Sequence, residues 1–516
     1  MTPAAILILF VLSLDCIFAL VVSTKLRARG RDNVQMSPFT SQAVATRPLR
    51  LDESDSSGRL SPANLSADRS FAAKNIPWLI VGGGIHGVHI SARLIGSGVV
   101  SSASDLCIVD NNEALLHLWK LRTRNTGMGF LRSSSGYHLD IPDDALRKFS
   151  NDNSGRNKTR ETNKRRGTFS KDYERPQLDF FNDHCDHVVS KYHLDQIHTK
   201  GKVKKIDPSN DRFVAVQVEK VDGGVEWYHA ANVVLALGND LPRYPDWVDI
   251  DYDVQHGFVR HLLDGNDFCT GSPQSTAIVG GGITVAHKSL ELGCGNAGED
   301  MPSKSRAVHV ISRHPFKEQQ FDTHQEWMMD QAAAKRSIDG GGAGLPDRQV
   351  KFLDCSDYEI RRKTIARERI PGTVTTAVFR GKGGLKYAIE EGRVQFHQSE
   401  IVAKAYVDAQ EGEGLSRQKL QLKLSNGESI TVDQVLLGTG FGTKIPGGML
   451  MEELSKELPT SEYCGFPIVD KNLRWGRNGR IFVSGALAEL EVGPSARNIA
   501  GARLAAERIV EAFTGS

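Results

Sequence analysis

The chain has 516 residues, of which 40% are hydrophobic and 24% charged, with a formal net charge of +2. This length and composition suit a globular enzyme of two large domains, and the charge gives no electrostatic reason to expect nucleic acid as a partner. Seven scattered cysteines without a C-x-x-C pair argue against a disulfide framework, and sixteen histidines without ligand spacing predict no metal site.

An N-terminal leader precedes the predicted fold. Residues 4–22 are almost wholly apolar, and a basic, Ser/Thr-rich tract follows them. The sequence therefore predicts a hydrophobic signal or anchor over residues 1–24, then a leader and linker over residues 25–73. An apolar signal followed by such a tract resembles the bipartite leader of algae with secondary plastids, which implies a plastid address. The alternative is an endomembrane signal-anchor that contacts the membrane through this segment.

The first glycine-rich turn reads G-G-G-I-H-G and follows the short apolar run at residues 78–81. Gly82 permits the tight turn, and Gly84 lets the backbone approach a pyrophosphate. The helix that begins near Gly87 directs its free N–H groups at that anion. A second apolar run ends at Asp110, 23 residues beyond Gly87. This spacing predicts a dinucleotide site in which Asp110 binds a ribose hydroxyl.

The same order recurs about two hundred residues later, beginning with the turn at Gly280 and Gly282. The strand predicted at residues 308–311 ends in Ser312 and Arg313, where an NAD-selective site usually offers an acid. A guanidinium there can form charge-assisted hydrogen bonds with the 2′-phosphate of NADP. The sequence therefore predicts NADPH rather than NADH as the electron donor; the alternative is a solvent-exposed arginine at a strand end.

Each unit closes with an apolar strand that enters a further glycine turn. An L-A-L-G segment ends at Gly238, and an L-G-T-G segment ends at Gly440, preceded by a hairpin signal at residues 426–427. Gly238 lies 156 positions after Gly82. The separation of Gly280 and Gly440 is 160 positions. These repeats predict an α/β fold with two dinucleotide-binding, Rossmann-like three-layer domains; the alternative is two unrelated glycine loops.

Two such units predict two dinucleotides, and the productive pair is FAD with a nicotinamide nucleotide. We expect FAD in the first unit and an NAD(P) domain inserted into the FAD domain. The predicted boundaries are residues 74–245 for the first part of the FAD domain, 246–429 for the NAD(P) domain and 430–516 for the return segment.

The C-terminal segment fits that return. A strand enters the turn at Gly485, and a long helix begins near Asn498. A helix N-terminus beneath the flavin would stabilise negative charge on the reduced ring, which makes Asn498 a flavin-side candidate. The alternative is an ordinary C-terminal core helix.

From about residue 76 onward the chain resembles the flavin monooxygenase-like oxidoreductases, nearest to the L-lysine and L-ornithine N-hydroxylating monooxygenases and their uncharacterised relatives. The two glycine turns, the two L-x-x-G segments and residues 119–140 carry the resemblance. It implies FAD and NADP as cofactors, a small-molecule substrate, and O2 or another electron acceptor. It also places Arg132 nearest the isoalloxazine, with a surface arginine as the alternative. Catalytic residues beyond Arg132 and Asn498 stay unassigned.

The chain departs from the family patterns at the positions that would name a substrate. The F-x-G-x-x-x-H fingerprint of flavin-containing and Baeyer–Villiger monooxygenases is absent, and residues 486–493 replace the C-terminal pattern of the amino-acid N-hydroxylases. Three functions stay open: an FAD-dependent NADPH monooxygenase, an NAD(P)H dehydrogenase serving a quinone or protein acceptor, and a non-catalytic nucleotide-sensing protein. The monooxygenase is the leading hypothesis.

Overall fold

The computed structural model describes residues 73–154, 175–266, 273–294, 307–328, 346–408 and 418–515. The predicted leader, apart from its last residue, lies outside these ranges. No helix within them is long and apolar enough to cross a membrane.

The strands in the described ranges are β1 Lys74–Val81, β2 Leu106–Asp110, β3 His198–Lys200, β4 Lys202–Asp207, β5 Val214–Glu219, β6 Val225–Leu235, β7 Val259–His261, β8 Ser275–Val279, β9 Ala307–Ser312, β10 Lys317–Glu318, β11 Thr373–Val374, β12 Gln395–Gln398, β13 Ile401–Val407, β14 Lys419–Leu424, β15 Ser429–Val432, β16 Gln434–Leu437, β17 Arg474–Trp475 and β18 Ile481–Val483. The helices there are α1 Ile85–Gly96, α2 His117–Asn125, α3 Ala145–Ser154, α4 Leu178–Lys191, α5 Ile283–Cys294, α6 Asp347–Leu353, α7 Tyr358–Glu368, α8 Thr376–Arg380, α9 Leu385–Glu390, α10 Met449–Glu457, α11 Glu489–Val492 and α12 Ile499–Thr514. Short 3₁₀ or π segments cover Ala103–Asp105, Leu194–Ile197, Ile250–Val254, Gln325–Met328 and Gly485–Ala488.

The first sheet has a parallel core in the order β3-β2-β1-β6-β18, with β17 antiparallel at its edge. The apolar run 78–81 lies at its centre and is buried, as expected of a parallel strand covered on both faces. Strand β6 serves two partners on one side. Its first half, 225–230, pairs antiparallel with β5, and its end, 233–235, pairs in parallel with β18.

The second sheet is parallel throughout, in the order β12-β9-β8-β16-β7. Ile278 packs against helix α5 on one face, and its neighbour Ala277 packs against the antiparallel ribbon β13-β14-β15 on the other. These contacts create a three-layer domain. The hairpin predicted at residues 426–427 joins β14 to β15, and Gly427 has φ of 91° there.

The two sheets have the same architecture. In each, the strand of the glycine turn lies between the strand that follows it and the strand that ends the unit, beside an antiparallel ribbon. Strand β7 pairs in parallel with β16 in the second sheet, as β18 pairs in parallel with β6 in the first. The predicted fold class, two Rossmann-like three-layer domains, is confirmed.

The predicted domain boundary at residues 429 and 430 is wrong. Strand β16 lies between β8 and β7, so residues 434–437 belong to the second sheet and not to the return segment. The chain returns only after Gly440, where Phe441 forms an isolated bridge with Pro242 of the outgoing connection. Only Asp433 separates β15 from β16, so no turn signal marks the change from ribbon to sheet.

Candidate dinucleotide-binding cleft

The first glycine turn is fixed by backbone packing on two of its glycines. A Cβ atom on Gly82, which has φ of 112°, would lie 2.3 Å from the carbonyl oxygen of Ala236. A Cβ atom on Gly87 would lie 1.8 Å from the carbonyl oxygen of Gly82. A Cβ atom on Gly84 would meet nothing within 4 Å. Gly84 therefore presents bare backbone to open space, which is what a pyrophosphate requires.

Asp110 lies directly beside this turn at the end of β2. Its carboxylate accepts a hydrogen bond of 2.6 Å from the backbone N–H of Gly83 and one of 2.8 Å from the N–H of Asn112. These contacts fix the carboxylate next to the open side of the turn. The position matches the one predicted for an acid that binds ribose.

The second turn repeats this geometry closely. A Cβ atom on Gly280, which has φ of 135°, would lie 2.7 Å from the carbonyl oxygen of Gly438. A Cβ atom on Gly82 would contact the carbonyl oxygen of Ala236 in the same way. A Cβ atom on Gly281 would lie 2.7 Å from the hydroxyl oxygen of Ser312, so Ser312 stands beside this turn as Asp110 stands beside Gly83. The second unit therefore has a hydroxyl where the first has an acid.

Three further predicted site residues lie at the same ends of the two sheets. Arg313 follows β9 and is exposed. Gly238 and Gly440 each have φ of 78° and follow the central strands β6 and β16. Both occupy the left-handed region that favours glycine, so the strands turn alike in the two units.

The predicted flavin side brings the return segment onto the first turn. Gly485, with φ of 67°, lies over the ring of His86, because a Cβ atom there would be 3.8 Å from the imidazole. The Nδ1 atom of His86 is 2.8 Å from the hydroxyl of Ser484. Asn498 caps helix α12, since its side-chain oxygen accepts a 2.9 Å hydrogen bond from the N–H of Gly501. The first turn and the N-terminus of α12 therefore belong to one cleft.

His86 escaped the sequence analysis although it lies inside the first motif. Burial lowers its pKa to about 4, and hydrogen bonding to the backbone of Arg497 and Asn498 opposes this shift only in part. The imidazole is therefore neutral at physiological pH. Its position between Gly84 and Gly87 is the signal by which the sequence could have identified His86 as a site residue.

Arg132 contacts the second domain. Its guanidinium donates hydrogen bonds of 2.9 Å to the carbonyl oxygens of Gln319 and Gln320, and one of 2.7 Å to the hydroxyl of Thr373. All three acceptors belong to the segments around β10 and β11. The structure thus brings Arg132 together with the second domain, and its place nearest the isoalloxazine stays a prediction.

A buried ionic cluster joins the inserted segment to the return segment, and sequence reasoning missed it. Glu489 is 1% exposed and accepts a hydrogen bond of 2.8 Å from Arg497. Arg362 and Arg369, which lie on or just after helix α7, also contact this carboxylate. Such a cluster holds only when complete, because removing one partner leaves a buried charge uncompensated. Arg362 and Arg369 lie more than a hundred positions before Glu489, so no local pattern marks the cluster.

The described residues contain no group of three or more His, Cys, Asp or Glu side chains that could hold a metal ion. Bare backbone, a fixed carboxylate and a helix N-terminus, which the first unit brings together, are the features that a dinucleotide site requires.

Comparisons with solved structures give the same architecture. The chain is similar to the ornithine hydroxylase of Pseudomonas aeruginosa, with a TM-score of 0.61, 18% identity, and coverage of 85% of this chain and 98% of that one. It is similar to the FAD-bound cadaverine monooxygenase of Erwinia amylovora, with a TM-score of 0.57, 14% identity, and coverage of 86% and 95%. A bacillithiol disulfide reductase of Bacillus cereus has a TM-score of 0.50 at 15% identity, with coverage of 85% and 98%. These likenesses establish the fold. No protein-family model and no curated protein matches the chain.

Proposed function

We propose that the protein is an FAD-dependent NADPH oxidoreductase, and that it acts as a monooxygenase on a small nucleophilic substrate. The observation that carries the proposal is the open backbone at Gly84 beside a fixed Asp110, in one member of a duplicated pair of nucleotide folds. The names of the ornithine hydroxylase and the cadaverine monooxygenase support this reaction class, and the resemblance read from the sequence agrees with them.

The residues of the first cleft fit FAD. Gly84 would admit the pyrophosphate, Asp110 would bind the ribose, and the N-terminus of α12 would stabilise negative charge on the ring. Bound FAD would accept two electrons from the nicotinamide nucleotide and pass them to O2. His86 stays neutral beside this site and, through Ser484, ties the first turn to the return segment.

The second unit would take NADP. Gly280 and Gly282 form its glycine turn, Gly440 follows its strand β16, and the exposed Arg313 would bind the 2′-phosphate. The second unit has Ser312 in the position that Asp110 holds in the first, so no carboxylate at that position would repel this phosphate.

The full chain loaded with FAD tests the proposal when NADPH consumption is followed across a panel of amines, thioethers and quinones, with and without O2. Consumption that requires both O2 and a nucleophile and yields an oxygenated product supports the monooxygenase. Consumption that continues without O2 and requires a quinone points to a dehydrogenase. A chain that takes up no flavin would leave a nucleotide-sensing role.

Arg313→Ala is expected to raise the KM for NADPH by roughly ten- to a hundredfold and leave the KM for NADH nearly unchanged. Losing a charged phosphate contact removes about 1.5–3 kcal/mol of binding, which is about one to two decades. Steady-state kinetics with both donors measures the effect. Lys382→Ala, which removes another exposed cation of the same domain, is the control. An equal response of both donors would show that Arg313 does not bind the phosphate.

For the leader, we propose the plastid address that the bipartite pattern predicts. Residues 1–50 fused to a fluorescent reporter are expected to direct it to a plastid, and residues 1–24 alone to the endoplasmic reticulum. Reporter distribution in an alga with secondary plastids measures this. If the longer fusion stays in the endoplasmic reticulum, the signal-anchor is the better assignment, and cytosolic fluorescence from it contradicts both.

A further inference from the structure

The two glycine turns differ in one respect that bears on ligand access. A Cβ atom on Gly84 would enter open space, whereas a Cβ atom on Gly282 would lie 3.3 Å from the Cα atom of Gly372. The second glycine of such a turn is the one over which a pyrophosphate lies. In the second unit, backbone from another segment covers that position.

The covering segment is residues 370–373, which we call the strap. It begins at Ile370, whose backbone N–H donates a hydrogen bond of 2.8 Å to the carbonyl oxygen of Asp322. It turns at Gly372, whose φ is 71°, and ends where Thr373 begins β11 in parallel with β10. Thr373 is buried, so the strap is anchored at both ends.

Arg132 is the first-domain residue that holds the strap from outside. Its guanidinium donates to Thr373 within the strap, and to Gln319 and Gln320 on the neighbouring β10 segment. A guanidinium can satisfy three acceptors at once because its donors form a rigid planar fork. These bonds fix β10 and the end of the strap to the same point of the first domain.

We propose that the strap is autoinhibitory and that Arg132 is the positioning residue that keeps it closed over Gly282. A phosphate group and the Gly372 backbone cannot occupy the same position, so a nicotinamide nucleotide binds only after the strap moves away. The inference rests on the proposed use of NADP by the second unit. The affinity for the nucleotide is then reduced by the fraction of molecules in which the strap is closed.

The test compares two ligands in the FAD-loaded full chain by calorimetry. NADP⁺ carries the pyrophosphate, whereas adenosine 2′-monophosphate presents the same 2′-phosphate without it and does not need the strap to open. Arg132→Gln is expected to tighten NADP⁺ binding by about tenfold and leave the affinity for adenosine 2′-monophosphate unchanged. Thr373→Val should act in the same direction to a smaller extent.

The conservative variants Arg132→Lys and Thr373→Ser, which keep a donor and a hydroxyl, should return NADP⁺ binding toward the wild-type affinity. Amide exchange at Ile370 should accelerate when NADP⁺ is added to the wild type, because its hydrogen bond to Asp322 opens with the strap. Thr373→Val keeps the comparison valid if Arg132→Gln does not fold.

Unchanged or weaker NADP⁺ binding in Arg132→Gln and Thr373→Val, with FAD content intact, overturns the strap proposal alone. An equal change for both ligands also overturns it, because the effect would then not depend on the pyrophosphate. If no variant binds either ligand, the assignment of NADP to the second unit fails and the strap proposal fails with it.

Discussion

A Gly84→Leu protein is expected to purify almost free of FAD. The Cβ atom and the branched side chain would fill the open space at Gly84, through which we expect the pyrophosphate to approach the backbone. A steric clash of this kind costs about 1–3 kcal/mol, so FAD affinity should fall by about one to two decades. The ratio of flavin absorbance to protein absorbance after purification measures the loss.

Gly136→Leu is the matched control, because a Cβ atom at Gly136 also meets nothing within 4 Å and the residue is exposed. This variant should retain FAD at the wild-type ratio. A Gly84→Leu protein that purifies with a full complement of FAD would remove the first turn from the flavin site.

Acidification from pH 7 to pH 5 is expected to remove most of the free energy of unfolding. Besides that of His86, burial lowers the pKa of three more histidines to about 4 and that of another to about 3; these four are His138, His261 and His287, and His184. In the unfolded chain a histidine has a pKa of about 6.5. Between these values the unfolded state binds more protons than the folded state, so stability falls as the pH falls from about 6.5 toward 4.

The size of the effect follows from the width of that window. At pH 5 each of the four histidines lowers the free energy of unfolding by about 2 kcal/mol, against a typical total of about 5–15 kcal/mol. Urea denaturation followed by circular dichroism from pH 8 to pH 4.5 measures it. The midpoint should be constant above pH 7.5 and fall steeply below pH 6.

His184→Phe isolates one of these groups. Both ring nitrogens of His184 lack a hydrogen-bond partner within the described residues, and the ring packs edge-on against Phe149 at 5.3 Å. Phenylalanine should keep the packing and remove one titration, which reduces the slope of stability against pH by about 1.4 kcal/mol per unit. A wild-type midpoint that does not move between pH 7 and pH 5 would contradict the burial argument.

The sequence predicts those parts of the structure that depend on local backbone requirements. Gly82 and Gly280 are required by close backbone contacts that follow directly from a strand–turn–helix motif, so the duplicated units could be identified from spacing alone. The position of Asp110 beside the turn also follows from the register of two adjacent parallel strands. The duplication is thus a property of short segments that repeat.

What the sequence could not predict depends on partners far away in the chain. Arg132 meets Thr373 across 241 positions, and Glu489 meets arginines of helix α7 that no periodic pattern connects to it. The contact of Gly372 with Gly282 likewise needs the folded backbone. The predicted boundary near Asp433 was wrong for a local reason. Strand β15 of the ribbon and strand β16 of the second sheet are separated by one residue, so no turn signal marks the change.

The double pairing of β6 also determines the order in which the protein is completed during synthesis. Arg480, just before β18, hydrogen-bonds to Ala231, which left the ribosome 249 residues earlier. Synthesis proceeds at about 5–20 residues per second, so the edge of β6 that pairs with β18 stays unpaired for roughly 10–50 s. The second sheet is complete by Leu437, so the second domain can form first. A nascent chain that stops before β18 leaves an exposed parallel edge, which invites pairing with other chains and makes chaperone protection most important in that interval.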